Sequence, residues 1–577
     1  MAIPGGRIVV AALEDEGIPF TFGIPGTHNI ELYDAVAESE SVRPILVGDE
    51  QAASFMADGV WRASGRLGCA SLVPGAGLTH AMSGIAEAWM DTVPMLVLGC
   101  GIRTDTGHGY QLHDIDQMAM VAPVTKARYR PMSGSELYEQ IREACRVARE
   151  GAPGPVYVEV PANLYIHTHD VDLDALRTEA DARVPARFDP DAHLVAEAVG
   201  MLDAAERPLL YLGLGALGVV DRVVALAERL EAPVATTFQG KGVFPESHPL
   251  WLWPGFGEAA PPFVRKLAAE SDVVLAIGCR FGEVGTGSYG LDMPGPLIHV
   301  DIDADVLGRN YPAAVAIHGD AAATVDLLLD RLKPSPRRAA LRRRIADGHA
   351  EVEKRWSDSP SKDRVTPHAL VRALQTRLGP DTVYTADSGN GTFLGMELLR
   401  LDSPRRFLAP VDYSCMGYSV PAALGAGLAV PDQPVVALAG DGAFLMTGLE
   451  LLTAASHEIP AAIFVLRDGE LAQIAQIQDT AFNRRTASRV HDYRLEEICR
   501  GCGVEFLLLE TDEGIPAALD EVVRITGDGR PVVVEVAIDY STRTYFTKGI
   551  VKTNLKRLPW KDRIRFVGRA LGRRITG

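Results

Sequence analysis

The stretch Val435-Val-Ala-Leu-Ala-Gly-Asp-Gly442 is followed, 24 residues later, by Arg467-Asp-Gly-Glu470, which closes the apolar run Ala461-Ala-Ile-Phe-Val-Leu466. Each apolar run reads as a buried strand, and Phe444 to His457 between them carries apolar residues at helical spacing. A strand, a helix and a second strand make a right-handed crossover whose two strands lie parallel and adjacent. Asp441 and Asp468 then emerge side by side at the carboxyl edge of the sheet, where open α/β sheets bind ligands. Two acidic oxygen ligands suit a hard divalent cation. Magnesium takes few protein ligands and keeps its remaining positions for phosphate oxygens and water, so the pattern points to a metal clamped onto a diphosphate. Gly440 and Gly442 allow the backbone to approach that group closely.

The same alternation of strand-like and helix-like runs fills most of the 577 residues, of which 47% are hydrophobic. It predicts an α/β protein of three doubly wound parallel-sheet domains, at residues 1–165, 192–345 and 366–540, with a basic tail at 541–577. Polar sequence from His167 to about Asp191, and again from Ser357 to Val365, reads as linker. A net charge of -18 argues against a nucleic-acid partner. No apolar run approaches the roughly 18 residues that span a bilayer, and Ile8 to Leu13 is too short for a signal peptide, so a cytoplasmic protein is expected. Seven scattered cysteines make a disulfide framework improbable. Cys499-Arg-Gly-Cys502 closes a helix and reads as packing.

With these residues in view, the chain resembles the thiamin-diphosphate superfamily of acetolactate synthase, pyruvate oxidase and benzaldehyde lyase. Its binding motif is GDG, about two dozen residues, then two asparagines, where this chain has Arg467-Asp468. The resemblance spans nearly the whole chain and implies pyrimidine-binding, central and diphosphate-binding domains in that order. It makes Asp441, Asp468 and the backbone carbonyl of Glu470 the magnesium ligands, and places Asn390, Gly440, Gly442 and Ala443 at the diphosphate. Within Ser414-Cys-Met-Gly-Tyr-Ser-Val-Pro421, Met416 would sit under the bend of the cofactor and the Ser414 carbonyl would accept from its aminopyrimidine. Glu50, before the helical Gln51 to Gly59, resembles the glutamate that trades a proton with the pyrimidine ring and so activates the thiazolium carbon. Such enzymes complete each site between the first domain of one subunit and the third of another. A homodimer is therefore the smallest working unit, and a homotetramer is common. Arg467 is expected to offset part of the extra charge that Asp468 brings.

His28, in Gly23-Ile-Pro-Gly-Thr-His28-Asn29, resembles a benzaldehyde lyase histidine that moves a proton at the substrate oxygen; its competing role is to cap the helix Ile30 to Ala37. Gln111 matches a glutamine that hydrogen-bonds substrate, and His80 and His113 are lesser candidates. Two departures from acetolactate synthases, Ile477 for tryptophan and Val284 for arginine, remove the groups that bind a second keto acid, which favours an apolar or neutral acceptor. Gly213-Leu-Gly-Ala-Leu-Gly218 is a formal GxGxxG with no acid closing the strand after it, and reads as strand-helix packing. Arg280-Phe281 and His299 to Asp303 resemble the region that holds FAD in acetolactate synthases, which leaves FAD open as a second cofactor. The tail carries 11 basic residues and one acid from Arg543 onward. Trp560, Ile564, Val567, Leu571 and Ile575 are at helical spacing there, and a lid, a strut on an acidic oligomer face and a membrane-surface anchor all fit. The expected activity is carboligation with decarboxylation of a 2-oxo acid. A lyase or hydrolase acting on an acyloin or 1,2-dione and a flavin-dependent, membrane-docked oxidase are the alternatives.

Overall fold

The computed structural model describes residues 2–565, apart from 185 and 362, together with 568 and 569. Three six-stranded sheets, parallel throughout, follow one another along the chain. The third runs, edge to edge, Phe407–Leu408, Val383–Ala386, Val435–Gly440, Ala461–Arg467, Val532–Ala537 and Glu505–Leu509. Val435 pairs with Ala461 and the register holds to Gly440 opposite Leu466. The two acidic loops therefore leave the sheet at the same level.

The first sheet runs Arg43–Leu46, Phe20–Gly23, Gly68–Leu72, Met95–Gly101, Pro155–Pro161 and Ala127–Tyr129. Counted along the chain within each domain, the first and third sheets share the order 2-1-3-4-6-5. The middle sheet instead has the order 3-2-1-4-5-6 of dinucleotide-binding folds, with Pro208–Leu212 and Val273–Ile277 at its centre. In the middle sheet the direction of growth reverses once, beside strand 1; in the first and third it reverses beside strand 1 and again when the last strand inserts next to strand 4, and the gap beside strand 1 is where a crevice opens.

First and third domains meet through the helices Glu50–Ser64 and Ser419–Ala429. A Cβ on Gly59 would lie 2.3 Å from the Ala422 carbonyl oxygen, and one on Gly425 would lie 2.1 Å from that of Met56. Glycine at both positions is what lets the two backbones touch.

Two expectations are corrected. The segment after His167 is not plain linker: Thr168–Asp170 pairs antiparallel with Ala2–Pro4, and Leu173–Asp181 is a helix capped by Asp172. Its Val171, Leu173, Leu176 and Ala180 pack against the first core, a contact too short in sequence to show as periodicity. The helix read from Phe444 to His457 breaks into Asp441–Thr447, a 3-10 turn at Gly448–Glu450, and Leu451–Ser456. At the break the Glu450 carboxylate turns away to accept the amides of Gly48 and Asp49 at 2.9 and 3.1 Å.

The tail begins as a helix, Tyr545–Arg557. Phe546 is buried between the central and third domains, with ring centroids 4.8 Å from Phe238, 5.9 Å from Phe393 and 6.3 Å from Trp253. Arg557 donates to the Ser288 carbonyl at 2.7 Å. This first stretch braces two domains of its own chain through aromatic packing. Trp560 and Ile564 are exposed, and Val567, Leu571 and Ile575 lie outside the described residues.

Candidate active site

The third sheet reverses between Val383–Ala386 and Val435–Gly440, so the loops after these strands, Asp387 to Asn390 and Gly440 to Gly442, face each other. Asp441 is 2% exposed, and both its oxygens are engaged: Oδ1 accepts the Gly442 amide at 2.7 Å and Oδ2 the Gly469 amide at 2.8 Å. Gly469 can turn its amide back because it holds φ +75°. Asp468 Oδ1 accepts the Glu470 amide at 3.2 Å. Burial raises the pKa of Asp441; burial, and then the Asp441 charge, push Asp468 up to about 7.

Arg467, expected to offset part of the Asp468 charge, is engaged elsewhere. It stacks over Tyr493 and pairs with Glu535 at 3.0 Å and Asp492 at 2.5 Å. Its charge still lowers Asp441, while the cation acting on Asp468 is Arg364. Among the described residues neither Asp441 nor Asp468 has an ion-pair partner. A buried acid and a partly buried one whose protonation it favours form a donor set that a divalent cation would relieve.

A cavity of about 120 Å³ opens in front of them, walled by Asn390, Met416, Gly440, Asp441, Gly442, Ala443, Asp468 and Glu470. It adjoins a second of about 280 Å³, and the two share Asp468, Glu470, Ala472 and Tyr540. Tyr540 was missed in the sequence, although it follows the strand Val532–Ala537 at the same sheet edge. Ser414 is not on these walls; it holds φ +68°, and its hydroxyl bonds that of Ser388 at 2.7 Å. The loop is clamped further on, where Asp387 accepts the Tyr418 amide at 2.9 Å and Thr447 donates to the Gly417 carbonyl at 2.7 Å.

Glu50, His28 and Gln111 belong to the first domain, each following a strand of its sheet, and none of them walls the cavity of Met416 and Asp441. Glu50 opens its helix, is 6% exposed, and meets His80 Nδ1 at 3.2 Å. His28 bonds Thr27, and its ring lies 5.5 Å from that of His113. Burial, and then His113, hold the His28 pKa below its ordinary value. It does not cap the helix Ile30–Ala37, which starts at Asn29. Gln111 donates to the Arg103 carbonyl at 2.9 Å on an exposed loop. The buried glutamine of that motif is Gln117, which accepts the Gly75 amide at 2.9 Å and donates to the Cys100 carbonyl at 3.1 Å.

In the middle domain a cavity of about 270 Å³ lies at the reversal point, against Leu214, Gly215, Gly278, Arg280 and Asp301. Burial pushes Asp301 up to about 6, and Arg280 pairs with Asp412 at 2.7 Å. The GxGxxG stretch, read as strand-helix packing, instead brings two strand ends together: a Cβ on Gly213 would lie 1.9 Å from the carbonyl oxygen of Gly278, just past the neighbouring strand, and the stretch also lines this cavity. Cys499 and Cys502 are buried and unbridged.

Two domains of identical strand order flanking a dinucleotide-type domain, with acidic and imidazole groups at the carboxyl edges, define a large three-domain α/β enzyme. The comparisons with known proteins name its family. Residues 3–120, 195–328 and 387–536 match the N-terminal TPP-binding, central and C-terminal TPP-binding domains of thiamine pyrophosphate enzymes. The chain is 28% identical over 549 residues to the acetolactate synthase isozyme 1 large subunit of Escherichia coli, covering 94% of this chain and 95% of that protein. It is 34% identical over 477 residues to a probable 2-ketoarginine decarboxylase, AruI, of Pseudomonas aeruginosa, covering 82% and 83%. Identity to a probable acetolactate synthase large subunit of Methanocaldococcus jannaschii is 31% over 559 residues, covering 93% and 92%. The chain belongs to the thiamine pyrophosphate enzymes. Among the described residues no helix is long and apolar enough to cross a membrane.

Proposed function

We propose that this chain is a magnesium- and thiamin-diphosphate-dependent decarboxylase and carboligase of a 2-oxo acid. The observation that carries the reading is the unpaired Asp441 and Asp468 beside a cavity walled by Asn390, Gly440 and Met416. The relatives' names, acetolactate synthase and 2-ketoarginine decarboxylase, agree with it.

Asp441, Asp468 and the Glu470 carbonyl would hold magnesium, and Gly440, Gly442, Ala443 and Asn390 the diphosphate. Bound thiamin diphosphate would supply a nucleophilic carbon that adds to the substrate carbonyl and accepts the electron pair left as carbon dioxide departs. Met416 is placed to support the cofactor's bend, and Ser414 to offer its carbonyl from a constrained backbone. Glu50 is the proton carrier for the aminopyrimidine. Because Glu50 and Met416 occupy separate places in one chain, a second copy is required to bring them together. The exposed apolar Leu445, Met446, Leu449 and Leu452, just past the metal loop, offer that copy a face. A homodimer is the minimum, and a homotetramer follows from the family resemblance; a cytoplasmic setting remains the reading of the sequence. FAD would enter the middle cavity, whose strand order and glycine loops suit a dinucleotide; its roughly 270 Å³ encloses only part of one.

The test is product analysis by mass spectrometry after incubation with thiamin diphosphate, magnesium and a panel of 2-oxo acids, 1,2-diones and acyloins, with and without aldehyde. Coupled or decarboxylated product from a 2-oxo acid is expected. Cleavage of acyloins or diones alone would transfer the assignment to a lyase. A specific feature favours that second reading: His28, kept neutral beside His113, can accept a proton from a substrate hydroxyl. His28→Ala should then slow acyloin cleavage about a hundredfold and leave decarboxylation nearly unchanged.

A further inference from the structure

The helix Ala76–Met90 touches both halves of the chemistry. Near its start His80 meets Glu50, and near its end Glu87 reaches the loop of Ser414, Cys415 and Met416. Glu87 has none of its surface exposed. Its Oε2 accepts the Cys415 amide at 3.0 Å, while the Cys415 thiol donates to the Ser83 carbonyl of the same helix at 3.5 Å.

The other oxygen, Oε1, is buried with no donor in reach. Asp91, one helical turn on, interacts with the Glu87 carboxyl; it is fully buried and already accepts the amides of Val411 and Asp412 at 3.1 and 3.0 Å and the Arg62 guanidinium at 2.9 Å. An orphan carboxylate oxygen against a second buried carboxylate is resolved by a proton between them. Burial and the Asp91 charge push Glu87 up to about 9; against its own burial, Arg62 holds Asp91 low. The proton belongs on Glu87.

The other groups around it are committed. Asp58 and Arg62, from the helix Glu50–Ser64, pair at 2.6 Å, and Tyr418 donates its hydroxyl to Asp58. Asp412 is paired with Arg280, and burial raises the pKa of the Cys415 thiol. Arg62 is the cation bonded to Asp91, and Asp58 already shares it; Arg280, which also donates to the Met90 carbonyl, is held by Asp412.

We infer that Glu87 is a positioning residue that works as a neutral carboxylic acid, accepting the Cys415 amide, donating to Asp91, and so fixing the Ser414 to Met416 loop against the cofactor cavity. This rests on the reading that Met416 and Ser414 receive the cofactor. An ionised Glu87 would keep the amide but lose Asp91, leaving two buried anions to repel each other and shift the loop.

The experiment is equilibrium binding of thiamin diphosphate with magnesium to the full chain, by calorimetry, from about pH 6 to pH 10, for wild type, Glu87→Gln and Glu87→Ala. Glutamine supplies the same acceptor and a permanent donor, so Glu87→Gln should bind like wild type at neutral pH and lack the alkaline fall that wild type should show near pH 9. Glu87→Ala should bind about tenfold more weakly, the cost of one buried hydrogen-bond partner. Coincident alkaline limbs for wild type and Glu87→Gln, or a folded Glu87→Ala that binds like wild type, would overturn the inference while leaving the cofactor site standing. If Glu87→Ala does not fold, the comparison of wild type with Glu87→Gln still decides. A wild-type chain that binds no thiamin diphosphate would instead overturn the site itself.

Discussion

The Gly469 amide donates to Asp441 Oδ2 at 2.8 Å, so the loop after one parallel strand is tied to the acid that follows its neighbour. With Oδ1 holding the Gly442 amide, Asp441 has a fixed orientation before any metal arrives. Asp468 is less constrained, with one oxygen bonded to the Glu470 amide. If the pair holds magnesium as proposed, Asp441 would be a preorganised ligand and Asp468 one that can adjust to the ion's octahedral geometry.

Asp468→Ala should weaken binding of magnesium and thiamin diphosphate by about ten- to a hundredfold. Asp468→Asn should bind within a few-fold of wild type, because it keeps an oxygen ligand and removes the repulsion from Asp441. Calorimetric titration of both variants checks this, and equal losses in the two would show that charge, not ligation, is what Asp468 provides.

Glu50→Gln should reduce turnover by about 10²- to 10⁴-fold, the range for a lost general acid or base. Glutamine retains a hydrogen-bonding group for His80, so the melting temperature should stay within a few degrees. Steady-state decarboxylation rates at the wild-type level would remove Glu50 from the chemistry.

What could be read ahead of the structure was local. Val435 to Ala439 and Ala461 to Leu466 are short unbroken apolar runs, as strands buried on both faces must be, and the length between them leaves room for one crossover helix. What could not be read was long-range. The break at Gly448 answers to Gly48 and Asp49, 402 and 401 residues away in sequence. Arg467 has its partner at Glu535, 68 residues on, where the next strand but one in sequence lies alongside. Gln111 and Gln117 share one motif, and only tertiary packing shows which is buried. Glu87 reads in sequence as an ordinary helical carboxylate, since the donor to its Oε2 is the Cys415 amide, 328 residues later.

Phe546→Ala should cost about 3–5 kcal/mol, the usual range for emptying a buried aromatic site. The residue is 1% exposed and edge-on to Phe238 and near-parallel to Trp253, so the loss falls on the contact between middle and third domains. Limited proteolysis and thermal melting should report that loosening. A melting curve matching wild type would mean that the tail helix does not brace the domains.

His349 should govern part of the acid stability. Its ring stacks on Trp251 with centroids 4.8 Å apart and planes 6° apart, Nε2 donates to the Trp251 carbonyl at 3.2 Å, and Nδ1 is buried without a partner. Burial, and then the Arg400 charge, push its pKa down to about 4 from 6.5. Between those values the unfolded chain binds more protons than the folded one, so stability rises with pH across the window and is lost as pH falls through it. The full shift corresponds to about 3 kcal/mol at roughly 1.4 kcal/mol per unit. His349→Gln can still donate to the Trp251 carbonyl but carries no titrating group, so its melting temperature should fall less than that of wild type between pH 7 and pH 5. Parallel losses in the two proteins would place the acid sensitivity on other groups.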